Sequence, residues 1–273
     1  MVESPHAEIA RWRANVPDLV ADCCKEWGLL LGEPYVPGAC GHVARVALAD
    51  GTPAVLKVWW PHREAEQEAD ALERWDGVGA VRVLARDDER SAVLLERCEP
   101  GAVLSTAEDP VGVFVDLLPR LWRSGDGFFP LAHEAEYWSE HELQEVPDKR
   151  LKDAALHYLA ELAPSQGEQV LLHQDLHGEN VLSAQREPWL VIDPKPLAGE
   201  REFSVAPIVR SMELGHSKRH VLYRLDRLTS ELELDRDRAL GWTVAQTVAW
   251  SGGSDYIDTH VETVQWLLEE ARA

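Results

Sequence analysis

The stretch that decides the fold runs from Val170 to Lys195. It reads Val170-Leu171-Leu172-His173-Gln174-Asp175-Leu176-His177-Gly178-Glu179-Asn180-Val181-Leu182 and, after a polar turn, Trp189-Leu190-Val191-Ile192-Asp193-Pro194-Lys195. An apolar segment enters a polar loop, and a second apolar segment ends at another acid. Short apolar runs bounded by polar residues and glycine indicate buried strands. We therefore expect two strands that bring Asp175, Asn180 and Asp193 close together.

Three side chains of this stretch suit phosphoryl transfer. Asp175 and Asn180 follow the order H-x-D-x-x-x-x-N of a kinase catalytic loop, and Asp193 stands where a kinase places its metal-binding Asp. Asp175 is the candidate catalytic base, which would accept the proton of a substrate hydroxyl. Asn180 completes the candidate catalytic loop. The oxygens of Asn180 and Asp193 are hard ligands of the kind that Mg²⁺ prefers.

The two histidines of the loop could also suggest a zinc site, because they are four residues apart. Gln174, however, takes the place of the Glu in the zinc motif H-E-x-x-H, and Gly178 disfavours a helix here. We therefore interpret His173 as a structural residue that braces the loop by hydrogen bonds.

These motifs resemble the aminoglycoside phosphotransferases. The run Ile192-Asp193-Pro194-Lys195-Pro196, with Gly199-Glu200 after it, is similar to the branch of streptomycin 6-phosphotransferases and hydroxyurea-resistance kinases. The resemblance extends over nearly the whole chain. Further matching segments are Glu26–Leu29, Ala54–Val58, Gly79–Leu84, Leu94–Arg97 and Pro100-Gly101.

The resemblance implies an α+β, bilobal protein-kinase-like fold. An N-terminal nucleotide-binding lobe, residues 1–97, would hold a small antiparallel sheet of about five strands, with a turn at Asp50–Pro53. A larger, mainly helical C-terminal lobe, residues 98–273, would carry catalysis and substrate binding.

Apolar periodicity predicts helices over 9–27, 111–122, 151–162, 205–212, 219–232, 239–250 and 256–272, with further helix between 128 and 150. We expect the acids from Glu134 to Glu145 to form a solvated helix face, and Trp242, Trp250 and Trp266 to be core residues.

Lys57 is a lone charge in the apolar segment Ala54–Trp60. It is either a surface residue of an edge strand or the kinase lysine that bridges the α- and β-phosphates of ATP and pairs with a helix Glu. For that Glu the resemblance favours Glu68, with Glu64 as the alternative.

Two further segments are candidates for nucleotide binding. Gly38 and Gly41 lie in a turn before the lysine strand, where glycine lets the backbone approach phosphates closely; a plain hairpin is the alternative. The segment Glu96-Arg97-Cys98 is the expected hinge, in which a backbone carbonyl and amide would bind adenine.

The chain is strongly acidic, with 48 Asp and Glu against 27 Lys and Arg and a formal net charge of -21. This charge disfavours nucleic acid and anionic membranes as partners and attracts cations. A small cationic substrate such as an aminoglycoside suits such a field. Glu200 and Asp255 are candidate ligands for its guanidinium groups, because a carboxylate can accept two parallel hydrogen bonds from a guanidinium.

The four cysteines show no C-x-x-C spacing, so we predict neither a disulfide framework nor a zinc site. The N-terminal residues lack a basic start and an apolar core, and no apolar run is long enough to span a membrane. We expect a cytoplasmic monomer that has ATP and Mg²⁺ available.

The resemblance implies an ATP- and Mg-dependent phosphotransferase that inactivates an aminoglycoside, with streptomycin and the 6-hydroxyl of its streptidine ring favoured. A housekeeping kinase for a sugar or amino alcohol and a catalytically silent pseudokinase are the alternatives; the intact set Lys57, Asp175, Asn180 and Asp193 opposes the last. One departure is Ser204, where the family usually has an Asp that braces the catalytic loop. Glu202 could supply the missing charge.

Overall fold

An antiparallel sheet of five strands forms the N-terminal part of the protein. The computed structural model describes residues 5–35, 40–252 and 257–271. The strands are β1 (Leu30–Pro34), β2 (Gly41–Ala47), β3 (Pro53–Trp59), β4 (Val83–Asp87) and β5 (Ala92–Glu96). Their spatial order is β1-β2-β3-β5-β4. The predicted number of strands is confirmed, and β3 is a central strand, so Lys57 does not lie on an edge.

Helix α1 (Pro5–Trp27) covers one face of the sheet. Val20 and Cys23 of this helix share an apolar cluster with Leu56 of β3. Because side chains alternate along a strand, Leu56 faces α1 and its neighbour Lys57 faces the other side of the sheet. The helix predicted over 9–27 is therefore present and packs against the sheet.

Helix α2 (Glu68–Trp75) lies on that other side. Its buried residues Leu72 and Trp75 belong to one large apolar cluster that also contains Leu95 of β5 and Phe114 of helix α3. The sheet and the helical part of the protein therefore share a continuous core.

The C-terminal part is mainly helical. Its helices are α3 (Pro110–Leu121), α4 (Leu131–Glu140), α5 (Lys149–Leu162), α6 (Ala206–Arg210), α7 (Lys218–Glu231), α8 (Arg236–Ala249) and α9 (Ile257–Glu270). These positions agree with the apolar periodicity, except that the helix predicted over 205–212 is reduced to α6 with short 3-10 turns on either side. Helix α8 is the centre of this part: Trp242 is fully buried, whereas Trp250 and Trp266 are half-buried.

Two small two-stranded sheets bring the two halves of the stretch from Val170 to Lys195 together. Strand β6 (Val170–Leu172) pairs with β9 (Leu197–Gly199), and β7 (Val181–Ser183) pairs with β8 (Trp189–Val191), both antiparallel. The loop over 173–180 runs from β6 to β7, and the segment over 192–196 runs from β8 to β9. Because β6 pairs with β9 and β7 pairs with β8, the two connections lie side by side. The predicted proximity of Asp175, Asn180 and Asp193 follows from this arrangement.

Glu200, a predicted substrate ligand, is instead a structural residue. It is 2% exposed, and its carboxylate accepts bonds from the guanidinium of Arg238 at 2.7 to 3.1 Å, from the indole N–H of Trp242 and from the amide of Gly167 at 3.2 Å. The prediction for Glu200 is therefore wrong, because a carboxylate satisfied in the core cannot also bind a ligand from solvent.

We expect Glu200→Ala to destabilise the protein by about 3 kcal/mol, since removing one member of a buried pair leaves the other charge and the indole N–H unsatisfied. Urea denaturation followed by fluorescence measures this. Glu202→Ala is the control: its carboxylate makes one weak bond, to the amide of Asp235 at 3.4 Å, and we expect a loss below about 1 kcal/mol. A stable Glu200→Ala protein with weakened substrate binding would restore the original assignment.

Candidate active site

The loop that carries Asp175 is braced by one hydrogen bond within the loop and one to the segment over 192–196. Nε2 of His173 lies 2.9 Å from the carbonyl oxygen of Ile192, and the side-chain amide of Asn180 donates to the carbonyl of Asp175 at 2.9 Å. Burial lowers the pKa of His173 to about 4. The ring is therefore neutral at pH 7 and donates its Nε2–H to Ile192. This geometry agrees with the interpretation of His173 as a structural brace.

A second set of braces holds Gln174, whose φ is 64°. The side chain of Gln246 donates to its carbonyl at 2.9 Å, and its own amide donates to Glu134 at 3.2 Å. Glu134 also pairs with Arg63 and is buried. The expectation that Glu134 belongs to a solvated helix face is therefore wrong, and no local signal distinguishes it from the other acids of that segment.

Asp175 lies between two cations. Nζ of Lys195 is 3.3 Å from its Oδ2, and Nη2 of Arg210 is 3.5 Å from its Oδ1. Burial raises the pKa of Asp175, but Lys195, His177 and Arg210 outweigh this effect, so the pKa lies below its ordinary value. Asp175 is thus ionised at pH 7 and able to accept a proton. The sequence did not single out Arg210.

Lys57 is held by two carboxylates. Its ammonium donates to both oxygens of Glu68, at 2.6 and 2.7 Å, and also contacts Oδ1 of Asp193. Burial opposes the charge, yet Glu68 and Asp193 outweigh it and raise the pKa of Lys57. The structure selects Glu68 over Glu64, whose Oε2 instead lies 3.4 Å from Nζ of Lys195.

A cleft of about 540 Å³ lies between the five-stranded sheet and the segments that carry Asn180 and Asp193. The predicted residues Gly41, Lys57, Glu68, Glu96, Cys98, Asn180 and Asp193 all line it. One part of its wall is apolar and suits a flat base. The apolar side chains are Val43, Val55, Val81, Leu95, Leu182 and Ile192. Charged groups line the other part, so the cleft has the division that a nucleotide requires.

Glu96 and Gly41 differ in what they can offer a nucleotide. Arg186 donates to both carboxylate oxygens of Glu96, at 2.8 Å each. Only the backbone of the expected hinge is therefore left to hydrogen-bond adenine. Gly41 places no side chain over Lys57: a Cβ there would be 3.9 Å from Cε of Lys57. Gly38 and Asp255 lie outside the described residues.

The residues fit a magnesium ion held together with phosphates. Because the amide nitrogen of Asn180 donates to Asp175, its Oδ1 is directed away from that bond and can act as a ligand. The side chain of Asp193 is 52% exposed, and the ammonium of Lys57 lowers its pKa to about 2. One carboxylate and one amide, with phosphates and water, form the coordination set that Mg²⁺ commonly takes.

Ser204 does not act as a loop brace. Its Oγ accepts the indole N–H of Trp122 at 2.9 Å, and Glu202 bonds the amide of Asp235. The loop is instead fixed from the C-terminal side by Glu213, which accepts the amide of Gly178 at 2.7 Å. Glu202 is thus not the replacement for the missing Asp.

Within 5–35, 40–252 and 257–271, no group of three or more His, Cys, Asp or Glu side chains could hold a metal ion. The four cysteines are free thiols. No helix in the same ranges is both long and apolar enough to cross a bilayer.

The five-stranded sheet, the lysine paired with Glu68 and the two small sheets beside the loop define a bilobal protein-kinase-like phosphotransferase. The solved structure of the aminoglycoside phosphotransferase APH(4)-Ia, in a ternary complex with ADP and hygromycin B, matches with a TM-score of 0.66 and 15% identity, over 92% of this chain and 97% of that chain. The predicted fold class is confirmed.

The chain belongs to the aminoglycoside/hydroxyurea antibiotic resistance kinase family, whose model matches residues 32–254. It is 39% identical over 251 residues to a streptomycin 6-kinase of Streptomyces griseus, covering 86% of this chain and 81% of that protein. It is also 38% identical over 248 residues to a hydroxyurea phosphotransferase of Kitasatospora aureofaciens, covering 86% and 72%. The predicted family and the predicted enzyme class are confirmed.

We expect Asp175→Asn to lower turnover by about 10²–10⁴-fold, the usual contribution of a positioned base. Some stability will also be lost, because Arg210 loses its charge partner, so rates are compared well below the melting temperature. Asp153→Asn, on the exposed face of α5, is the matched control and should be fully active. Near wild-type turnover of Asp175→Asn, with chemistry limiting the rate, would exclude Asp175 as the base.

Removal of the two proposed metal ligands should give unequal defects. We expect Asp193→Ala to abolish activity at all Mg²⁺ concentrations, because the proposed site then lacks its carboxylate. Asn180→Ala removes a neutral ligand, and high Mg²⁺ should partly restore its activity. Activity titrated against Mg²⁺ measures the difference, and equal full activity of both variants would contradict the site.

Proposed function

We propose that this protein transfers the γ-phosphoryl group of ATP to a hydroxyl of streptomycin, with the 6-hydroxyl of the streptidine ring as the acceptor. The observation that carries this proposal is the joint presence of an intact phosphotransfer site and 39% identity to a streptomycin 6-kinase over most of both chains. The phosphorylated antibiotic would be inactive.

Each proposed role follows from the position of the side chain. Lys57, fixed by Glu68, would hold the α- and β-phosphates, and the adenine would lie in the apolar part of the cleft against the hinge at Glu96 and Cys98. Asn180 and Asp193 would hold Mg²⁺. An ion held there would supply positive charge against the charge that develops on the phosphate oxygens.

Asp175 would act on the acceptor. Its ionised carboxylate would take the proton of the hydroxyl as the oxygen attacks the γ-phosphorus, and the bond from that phosphorus to the β,γ-bridging oxygen would break. Most of the rate enhancement in such a transfer comes from positioning and charge stabilisation. The many bonds that fix the loop over 173–180 are consistent with that demand.

We also propose that residues 1–97 form the nucleotide-binding lobe and residues 98–273 the catalytic and substrate-binding lobe. The structure gives a supporting reason: β5 ends at Glu96, and the helical part begins beyond it. We propose further that the protein works as a cytoplasmic monomer, where ATP, Mg²⁺ and the antibiotic meet.

A second candidate substrate has a specific observation in its favour. The relative from Kitasatospora aureofaciens is a hydroxyurea phosphotransferase, and its identity to this chain, 38%, is nearly that of the streptomycin relative. Hydroxyurea is small and uncharged, whereas streptomycin carries two guanidinium groups. The acidic character of the chain, with a net charge of -21, favours the cationic substrate through the encounter rate.

Incubation of the protein with Mg²⁺-ATP and streptomycin should add one phosphoryl group to the streptidine ring. Mass spectrometry gives the number of groups, and phosphorus NMR gives the position. Hydroxyurea, a sugar and an amino alcohol are assayed in parallel, with Asp175→Asn as the blank. Product with hydroxyurea alone would select the second candidate, and product with only the sugar or the amino alcohol would favour a housekeeping kinase.

A further inference from the structure

Lys195 is placed in the cleft by a rigid piece of backbone. It stands between Pro194 and Pro196, two residues after Asp193, and its amide donates to the carbonyl of His173 at 3.0 Å. Proline fixes its own φ and restricts the residue before it. The start of the Lys195 side chain is therefore fixed relative to both the candidate base and the candidate metal ligands.

The end of this side chain can move. Nζ lies 3.3 Å from Asp175 and 3.4 Å from Glu64, and it sits over the ring of Trp250 at 4.7 Å. The side chain is 29% exposed and lines the same cleft as Lys57. Ion pairs of this length at a partly exposed position are weak. The ammonium can thus exchange its carboxylate partners for a stronger anion.

Arg210, the second cation beside Asp175, lacks this freedom. Its side chain is 8% exposed, and its guanidinium lies over the ring of Trp250 at 4.3 Å. Its contact with Asp175, at 3.5 Å, would remain if the ammonium of Lys195 moved away. A second cation lowers the basicity of Asp175 further, which weakens a proton acceptor. Keeping Asp175 ionised therefore does not account for Lys195, and a different role explains its position better.

We propose that Lys195 is a further catalytic residue, whose ammonium leaves Asp175 and Glu64 and binds an oxygen of the γ-phosphoryl group when the nucleotide enters. This proposal rests on the phosphotransferase function proposed above. Lys57 would hold the α- and β-phosphates from one side of the cleft, and Lys195 would hold the transferring group from the other.

The exchange serves two parts of the reaction. Charge builds on the equatorial oxygens of the transferring group, and a cation placed there stabilises it. At the same time Asp175 loses one of its two cations and becomes a better acceptor for the hydroxyl proton. Lys195 keeps its own proton throughout: the new bond joins phosphorus to the acceptor oxygen, and the bond from phosphorus to the β,γ-bridging oxygen breaks.

Lys195→Met keeps much of the aliphatic stem and removes the charge. We expect its kcat to fall by about 10²–10³-fold, as for loss of one charge-stabilising donor. A structural role would also lower kcat, so binding supplies the deciding measurement. Titration calorimetry with Mg²⁺ compares ADP with the β,γ-imido analogue of ATP. Lys195→Met should weaken binding of the analogue about tenfold and leave ADP nearly unchanged.

Two further variants complete the test. Lys195→Arg, which keeps the charge, should restore the preference for the analogue, and Glu64→Gln should keep it, because Glu64 pairs with Lys195 only in the ligand-free state. Equal losses for ADP and the analogue in Lys195→Met, or no loss in binding and kcat, would overturn the proposal. If the wild-type protein itself binds no Mg²⁺-nucleotide and transfers no phosphate, the proposed function fails along with it.

Discussion

A half-buried ammonium on a central strand is the constraint on which the rest of the site depends. Lys57 points from β3 into the cleft, where an unpaired charge would cost free energy because it is partly removed from water. Glu68, 2% exposed, supplies one partner, and Asp193 arrives from 136 residues further along the chain to supply the other. Charge pairing therefore fixes the first turn of α2 against the sheet and brings the end of β8 to the same place.

Much of this arrangement could be predicted, because its signals are local. The apolar runs before the loop over 173–180 and before Asp193 predict strands that bring Asp175, Asn180 and Asp193 together, and the period of two along β3 separates the face of Leu56 from that of Lys57. The choice between Glu64 and Glu68 was harder. On one helix these residues would share a face. In the structure Glu64 lies in a 3-10 turn and α2 begins at Glu68, so the two acids point to different partners.

The errors and omissions share one physical cause, which is that a charged residue is buried by partners from distant parts of the chain. Glu200 looks like a surface acid until Arg238 and Trp242, 38 and 42 residues later, surround its carboxylate. Glu134 likewise needs Arg63 and Gln174 beside it. Arg210 contacts Asp175 because α6, on which it lies, is packed in the core. Residue spacing within a single helix or strand does not indicate contacts between distant parts of the chain. The candidate catalytic and nucleotide-binding residues could therefore be predicted, whereas the residues that hold them in position could not.

The site also explains how a strongly acidic protein can bind a polyanion. Lys57 pairs with Glu68 and Asp193, and Lys195 pairs with Asp175 and Glu64, so carboxylates balance both cations before any phosphate arrives. On the proposed function, phosphates would approach Lys57 where Glu68 already holds it and would replace the carboxylates only as partners of Lys195, which limits the reorganisation that binding requires. The remote acids behind the net charge of -21 act at distances beyond about 8 Å, where salt screens them. Their field would raise the encounter rate of a cationic acceptor, whereas the choice of acceptor hydroxyl would have to come from the groups close to Asp175.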